Sequence, residues 1–293
     1  MLRSWKLGTL FGIGIYIHWT FFLLPAWGFL YTLQRGGVQL ATEAAVFIMA
    51  AFGCILLHEL GHALAARHFG IPTRDITLYP LGGVARLERM SRRPWEEFWI
   101  AVAGPAVNVV IVVLLFGVWI GMSAFIPPER LMSFRGLAGL VPELLLANFF
   151  LAGFNMIPAF PMDGGRVLRA LLVRRLGYLR ATQRAVGIGG FLALLFIGLG
   201  LFGNDLPFVS PMLIPVGMLV FLMGKQELAM VRHQEAMRRA EPLDVLPADE
   251  PVVEVKPISA RAGFTGFIWD SRAGLWVQWQ NGRPVHGVFP EAD

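Results

Sequence analysis

The sequence predicts an all-α polytopic membrane protein with about six transmembrane helices, a β-hairpin at the membrane surface and a small C-terminal β-rich tail. Hydrophobic residues make up 56% of the 293 residues and charged residues only 15%, whereas soluble domains average about 25% charged residues. Several apolar runs also approach the roughly 20 residues that a helix needs to cross the hydrocarbon core. Composition and run length together indicate a membrane protein rather than a soluble globular one.

Six segments of the chain are apolar enough to be interpreted as membrane spans. The fourth contains Pro142 and Glu143, and the sixth is short and is interrupted by Pro215. The predicted spans are residues 13–33, 43–69, 98–125, 137–156, 185–202 and 213–223.

The distribution of Lys and Arg predicts the orientation of these spans. Eighteen of the 25 basic residues lie in the N-terminal segment and in the segments that follow spans two, four and six, and only Arg35, Arg130 and Arg135 lie in the opposite loops. Because basic residues concentrate on the cytoplasmic side, both termini are expected in the cytoplasm of a multi-pass protein, with a prokaryotic plasma membrane as its location. The net charge of +5 is then explained by topology, and no nucleic-acid partner is expected.

Two parts of the chain are not predicted to span the bilayer. Residues 74–88 alternate around a Pro-Leu-Gly-Gly turn, which indicates a hairpin at the membrane surface. The remaining organisation is a membrane domain over residues 1–240, a linker over 241–257 and a cytoplasmic tail over 258–293. The tail contains three short strand-like segments, 264–269, 275–280 and 285–289, the last two joined through Asn281-Gly282, a strong hairpin signal.

A His-Glu-x-x-His motif, His58-Glu59-Leu60-Gly61-His62, lies inside the apolar run 44–66, where Glu59 is the only charged residue. Residues four apart on a helix are about 40° apart around the axis and about 6 Å apart along it, so both imidazoles can reach one metal. Glu59 can then activate water. The alternative is a pair of structural histidines, but ionisable groups within a span cost roughly 2.5–3.5 kcal/mol each. The motif therefore favours one zinc ion per chain.

A catalytic zinc site needs a third protein ligand. His68 has the spacing of an extended motif, but Ala65 stands where that motif has glycine, so the helix should continue and direct His68 away. Cys54 lies eight residues, about 12 Å, from His62, which prevents both from binding one ion. Asp163 lies in a segment broken by prolines and followed by two glycines, and we expect it to be the third ligand. Its alternative role is as an N-cap.

These motifs closely resemble the site-2 protease family: His-Glu-Leu-Gly-His in a predicted transmembrane helix, and Asn155-Met-Ile-Pro-Ala-Phe-Pro-Met-Asp163-Gly-Gly near the end of a later one. The resemblance implies an intramembrane zinc metalloprotease that cuts transmembrane segments of membrane-protein substrates. It implies His58, His62 and Asp163 as zinc ligands and Glu59 as the catalytic acid–base. The likeness covers about residues 10–225; no PDZ-like insertion or pair of CBS modules is recognisable.

Further residues are candidates for substrate handling. Asn108 and Asn155 could each donate to the developing oxyanion, or each could form a helix–helix hydrogen bond. The hairpin could offer an edge strand to an unwound substrate, through Tyr79, Pro80, Leu81, Gly82 and Gly83. A catalytically silent zinc-binding scaffold and a metal transporter are the alternative functions, although spans five and six contain almost none of the polar groups that a transport path requires. The oligomeric state is left open.

Overall fold

The computed structural model describes residues 4–80, 82–89, 91, 93–125, 136–203, 211–240, 263–270, 275–281 and 283–288. Its contacts divide the chain into two compact units, Met1–Ala240 and Glu241–Asp293.

A four-stranded sheet accompanies the helices of the first unit. Its strands are β1 (Ser4–Leu10), β2 (Ile13–His18), β3 (Thr73–Tyr79) and β4 (Gly82–Leu87), in that spatial order. β1 and β2 are antiparallel, β2 and β3 are parallel, and β3 and β4 form the antiparallel hairpin that the sequence predicted. In this sheet β4 is an edge strand.

The predicted start of the first span, residue 13, is wrong because Ile13–His18 is strand β2. Ile13, Ile15 and Ile17 alternate onto one buried face, which is the two-residue period of a half-buried strand. Ile13 packs against Leu60 of the first helix. Within a long apolar run such a short alternation resembles the beginning of a helix.

Six α-helices occur in the described part of the chain. They are α1 (Leu23–His68), α2 (Pro94–Ser123), α3 (Gly136–Asn155), α4 (Asp163–Leu176), α5 (Tyr178–Phe202) and α6 (Leu213–Ala240). Among these, α1, α2, α5 and α6 are long and apolar enough to cross a membrane, and the apolar part of α3, Gly139–Asn155, is shorter. The first unit is therefore a mostly helical membrane domain with a small sheet.

Helix α1 consists of two arms that meet at Gly37, whose φ of 76° and ψ of −174° interrupt the helix. A Cβ added at Gly28 would lie 2.6 Å from Cδ1 of Ile48, although an unbroken helix would separate these residues by about 30 Å. Phe21, just before α1, also contacts Phe52, with ring centroids 4.4 Å apart. The arms before and after Gly37 therefore lie side by side.

Two helices extend beyond the spans predicted for them. Helix α6 continues to Ala240 rather than residue 223, and Pro215 lies in its first turn, where a missing N–H breaks no helical hydrogen bond. Helix α5 begins at Tyr178 rather than residue 185. In both cases charged residues continue the helix past its apolar part.

The second unit contains an antiparallel meander of β5 (Gly266–Asp270), β6 (Leu275–Gln280) and β7 (Arg283–Val288). These strands lie within a few residues of the three predicted segments. Asn281, between β6 and β7, has a positive φ of 52°. The linker 241–257 and residue 289 lie outside the described residues.

Candidate metal centre

Two imidazoles on the second arm of α1 meet a carboxylate from about 100 residues later in the chain. Nε2 of His58 lies 3.1 Å from Nε2 of His62, and each of these nitrogens lies 3.2 Å from Oδ2 of Asp163. The three side chains are nearly enclosed, with exposed fractions of 5%, 12% and 13%. Among the described residues, this is the group of His, Cys, Asp and Glu side chains that could hold a metal ion.

The size of this triangle fits zinc. A tetrahedral zinc ion with ligands at about 2.0–2.1 Å requires ligand atoms separated by about 3.3–3.4 Å. The observed sides are shorter by only a few tenths of an ångström. Two nitrogens and a carboxylate oxygen also match the donor types of catalytic zinc sites, which leave the fourth position open.

The second ring nitrogen of each histidine has its own partner. Nδ1 of His62 lies 2.6 Å from the carbonyl oxygen of Ile100 on α2. Because a carbonyl oxygen can only accept, this nitrogen carries the proton and Nε2 presents a lone pair towards the centre. Nδ1 of His58 lies 2.5 Å from Oδ1 of Asn108, also on α2.

Asp163 reaches the centre from the first residue of α4. The N-cap of this helix is Met162, without a side-chain cap bond, and the Asp163 carboxylate lies 3.2 Å from both imidazoles. The two glycines that follow allow a close approach, since a Cβ at Gly165 would lie 2.7 Å from the carbonyl carbon of Ala159, and one at Gly164 would overlap the carbonyl oxygen of Ile157.

A buried arginine that the sequence reading missed connects α4 to its neighbours. Arg169 is fully buried and forms ion pairs with Glu97 of α2 and Glu227 of α6, each at 2.5 Å. Burial alone would lower the pKa of its guanidinium, but Glu97, Tyr178 and Glu227 raise this pKa above its ordinary value. Arg169 therefore remains charged and holds the helix that carries Asp163. Its sequence signal was weak, because it is one of several arginines in a basic segment.

Helices α1 and α2 approach closely at two glycines. A Cβ at Gly61 would lie 2.8 Å from the carbonyl oxygen of Ala103. A Cβ at Gly104 would lie 2.8 Å from Nε2 of His58 and would overlap Nε2 of His62. The absence of a side chain at Gly104 therefore leaves the space in which the two imidazoles converge.

Strand β4 lies over the motif. The backbone N–H of Ala85 donates to Oε2 of Glu59 at 3.2 Å, and a Cβ at Gly83 would lie 2.6 Å from Cγ of Glu59. Tyr79, at the other end of the turn, contacts His18 instead, with ring centroids 5.2 Å apart. Pro80 and Gly82 belong to the turn and the start of β4, and Leu81 lies outside the described residues.

His68 and Cys54 do not belong to this group of ligand atoms. As predicted, α1 continues through Ala65 to His68, whose ring contacts Phe69. Cys54 is a half-buried free thiol. The side-chain amide of Asn155 donates to the carbonyl oxygen of Leu151 at 3.0 Å, one turn earlier in α3.

Comparison with known proteins agrees with this arrangement. The profile of peptidase family M50 matches residues 46–133 and 128–196. The zinc metalloprotease MJ0392 of Methanocaldococcus jannaschii is 34% identical over 249 residues, which is 84% of this chain and 67% of the relative. The protein sll0528 of Synechocystis sp. is 30% identical over 268 residues, which is 86% of this chain and 67% of that relative. A solved structure, the site-2 protease from Methanocaldococcus jannaschii, has a TM-score of 0.55 and 35% identity, and covers 77% of this chain and 95% of that chain. The chain therefore belongs to peptidase family M50 and is an intramembrane zinc metalloprotease of the site-2 protease family.

Proposed function

We propose that His58, His62 and Asp163 hold the zinc ion and that Glu59 is the general acid–base in the hydrolysis of peptide bonds within transmembrane segments. The observation that carries this assignment is the triangle of ligand atoms, 3.1–3.2 Å on each side, with Glu59 adjacent to one of them in the same apolar helix. A purely structural metal site would not require a carboxylate such as Glu59 beside one of its ligands.

The reaction divides between the metal and one side chain. Zinc, when bound, supplies Lewis acidity that polarises a carbonyl oxygen and activates water. Glu59 takes a proton from the attacking water at a carboxylate oxygen and returns it to the nitrogen of the departing amine. To accept that proton, Glu59 exchanges its hydrogen bond with the N–H of Ala85 for a hydrogen bond with the water.

The edge of β4 that does not pair with β3 provides the docking strand for the substrate. A transmembrane helix hides its peptide bonds in internal hydrogen bonds, so the segment must be unwound before it can be cut. Main-chain pairing with an edge strand compensates for the lost helical bonds. The contacts of Gly83 and Ala85 with Glu59 favour this strand, because a peptide paired with it would pass close to the catalytic carboxylate. Tyr79, Pro80, Leu81 and Gly82 would form the remainder of the docking segment.

We propose Asn155 as the donor to the oxyanion. To play this role, its side-chain NH₂ group must exchange the carbonyl oxygen of Leu151 for the oxygen of the substrate. Asn108 is fully buried, and its carboxamide is already engaged by His58 and Asn148, so we do not assign it as the oxyanion donor.

We assign six membrane spans: the two arms of α1, then α2, α3, α5 and α6. The close contact between the arms across Gly37 supports counting α1 twice. Both termini are cytoplasmic, and the metal centre lies nearer that face, because His62 is five residues from Arg67 at the basic end of α1. The host membrane is a prokaryotic plasma membrane. Residues 1–240 form the protease domain, 241–257 a linker and 258–293 a cytoplasmic tail that affects substrate choice.

Replacement of Glu59 by Gln tests the proposal. Glu59→Gln should bind zinc like the wild type but should not cleave a transmembrane substrate in detergent or liposomes, because an amide cannot take the proton. Glu43→Gln, on the same helix and 16 residues away, is the matched control and should cleave normally. Cleavage by Glu59→Gln at the wild-type rate would refute the role of Glu59, and the loss of zinc from His58→Ala but not from Glu59→Gln would support the ligand assignment.

A further inference from the structure

Two buried carboxamides connect His58 to helices that carry no metal ligand. Asn108 of α2 and Asn148 of α3 are 0% and 1% exposed. Oδ1 of Asn108 lies 2.5 Å from Nδ1 of His58, Nδ2 of Asn108 donates to Oδ1 of Asn148 at 2.8 Å, and Nδ2 of Asn148 donates to the carbonyl oxygen of Leu144 at 2.8 Å. A continuous row of hydrogen bonds therefore joins α1, α2 and α3.

The row of hydrogen bonds ends on a backbone carbonyl group, and this end determines which group donates and which accepts at every step of the row. The carbonyl oxygen of Leu144 can only accept, so Asn148 must direct its NH₂ group towards it. The oxygen of Asn148 then faces Asn108 and accepts from its NH₂ group. The oxygen of Asn108 is left for His58, whose Nδ1 must be the donor. A neutral imidazole has one N–H, so Nε2 of His58 presents a lone pair to the other two ligand atoms.

We propose that Asn108 and Asn148 are positioning residues that together fix the tautomer and the ring orientation of His58 for zinc. The inference rests on the proposed assignment of His58 as a ligand. A simple helix–helix bond between two asparagines would hold α2 against α3, but it would not require Asn108 to direct its oxygen towards an imidazole. The row also differs from the arrangement at His62, whose Nδ1 proton goes directly to the backbone of Ile100.

The chemistry of the carboxamides suits a site inside the bilayer. A carboxylate would fix the same tautomer, but it would add a negative charge where charges are costly. Asparagine accepts the imidazole proton while remaining neutral, and its own NH₂ group then needs a buried acceptor, which Asn148 supplies. Loss of such a partner of a metal-bound histidine typically lowers metal affinity by about 10- to 100-fold.

Zinc affinity of the purified full-length protein tests this inference, measured by competition with a chelator. Asn108→Leu removes the acceptor with little change in volume and should weaken zinc binding by about 10- to 100-fold. Asn148→Leu leaves Asn108 in place but removes its anchor, and should weaken binding by about tenfold, the lower end of that range. Asn108→Asp retains the acceptor for His58 but loses the NH₂ group that donates to Asn148, so it should bind zinc more tightly than Asn108→Leu.

Thr182→Val is the matched control, because Thr182 is a fully buried polar residue whose hydroxyl donates only to the carbonyl oxygen of Tyr178 in its own helix, α5. It should leave zinc affinity unchanged. The absorption spectrum of the cobalt-substituted protein supplies a second readout, since altered ligand geometry changes the visible bands. The spectrum should change in Asn108→Leu and Asn148→Leu and stay the same in Thr182→Val.

Wild-type zinc affinity and an unaltered cobalt spectrum in folded Asn108→Leu or in Asn148→Leu would overturn the inference. Asn148→Leu decides the matter alone if Asn108→Leu does not fold. His58→Ala separates this failure from failure of the proposed function. If His58→Ala loses zinc while both asparagine variants retain it, only the positioning role is refuted, whereas zinc retained in His58→Ala would refute the ligand assignment on which it rests.

Discussion

Gly104→Ala adds one methyl group at the place where the two imidazoles converge. The new Cβ would lie 2.8 Å from Nε2 of His58 and 2.5 Å from Cε1 of His62, whereas carbon atoms in ordinary contact are about 3.5–4.0 Å apart. The rings would have to retreat by about 1 Å, but their Nδ1 atoms are held by Asn108 at 2.5 Å and Ile100 at 2.6 Å.

Overpacking of this kind costs about 1–3 kcal/mol, which corresponds to a loss of zinc affinity of roughly 5- to 150-fold. Competition with a chelator measures this loss directly, and cleavage of a transmembrane substrate should fall with it. Gly117→Ala is the matched control, because it lies on the same helix and its Cβ would meet nothing within 4 Å. Zinc binding by Gly104→Ala as tight as that of Gly117→Ala would refute the assigned position of the metal.

Three further predictions concern the ligands, the topology and the tail. Asp163→Ala should lower zinc occupancy sharply and His68→Ala should not, as metal analysis of the purified variants will show; the reverse would support the extended motif. Reporter fusions after Gln234 and within residues 127–134 should report opposite sides of the membrane, and the same side for both would contradict six spans. Truncation at Pro242 should leave zinc binding intact and change only which substrates are cut or how fast, so loss of zinc from a folded truncated protein would assign the tail to the catalytic core.

The candidate metal centre could be anticipated because its signals are local. His58 and His62 lie one helical turn apart inside an apolar run, and this spacing by itself brings two imidazoles to one point. Asp163 was identifiable because prolines and glycines break the chain around it. Both signals depend on a few adjacent residues, and the structure brings all three side chains together.

The features that were missed depend on contacts between distant segments. Strand β2 pairs in parallel with β3, about 60 residues later, and the alternation of Ile13, Ile15 and Ile17 is too short to distinguish a strand from the first turns of a helix within a long apolar run. The row from His58 through Asn108 to Asn148 requires knowledge of which faces of α1, α2 and α3 meet. The burial of Arg169 likewise becomes visible only when Glu97 and Glu227 are brought to it by other helices.

The position of the zinc ion is the most direct test of the account. Anomalous diffraction at the zinc edge from crystals of the full-length protein should give one peak per chain, at about 2.0–2.2 Å from Nε2 of His58, Nε2 of His62 and a carboxylate oxygen of Asp163. A peak bound by His68 or Cys54, or one that excludes Asp163, would contradict it.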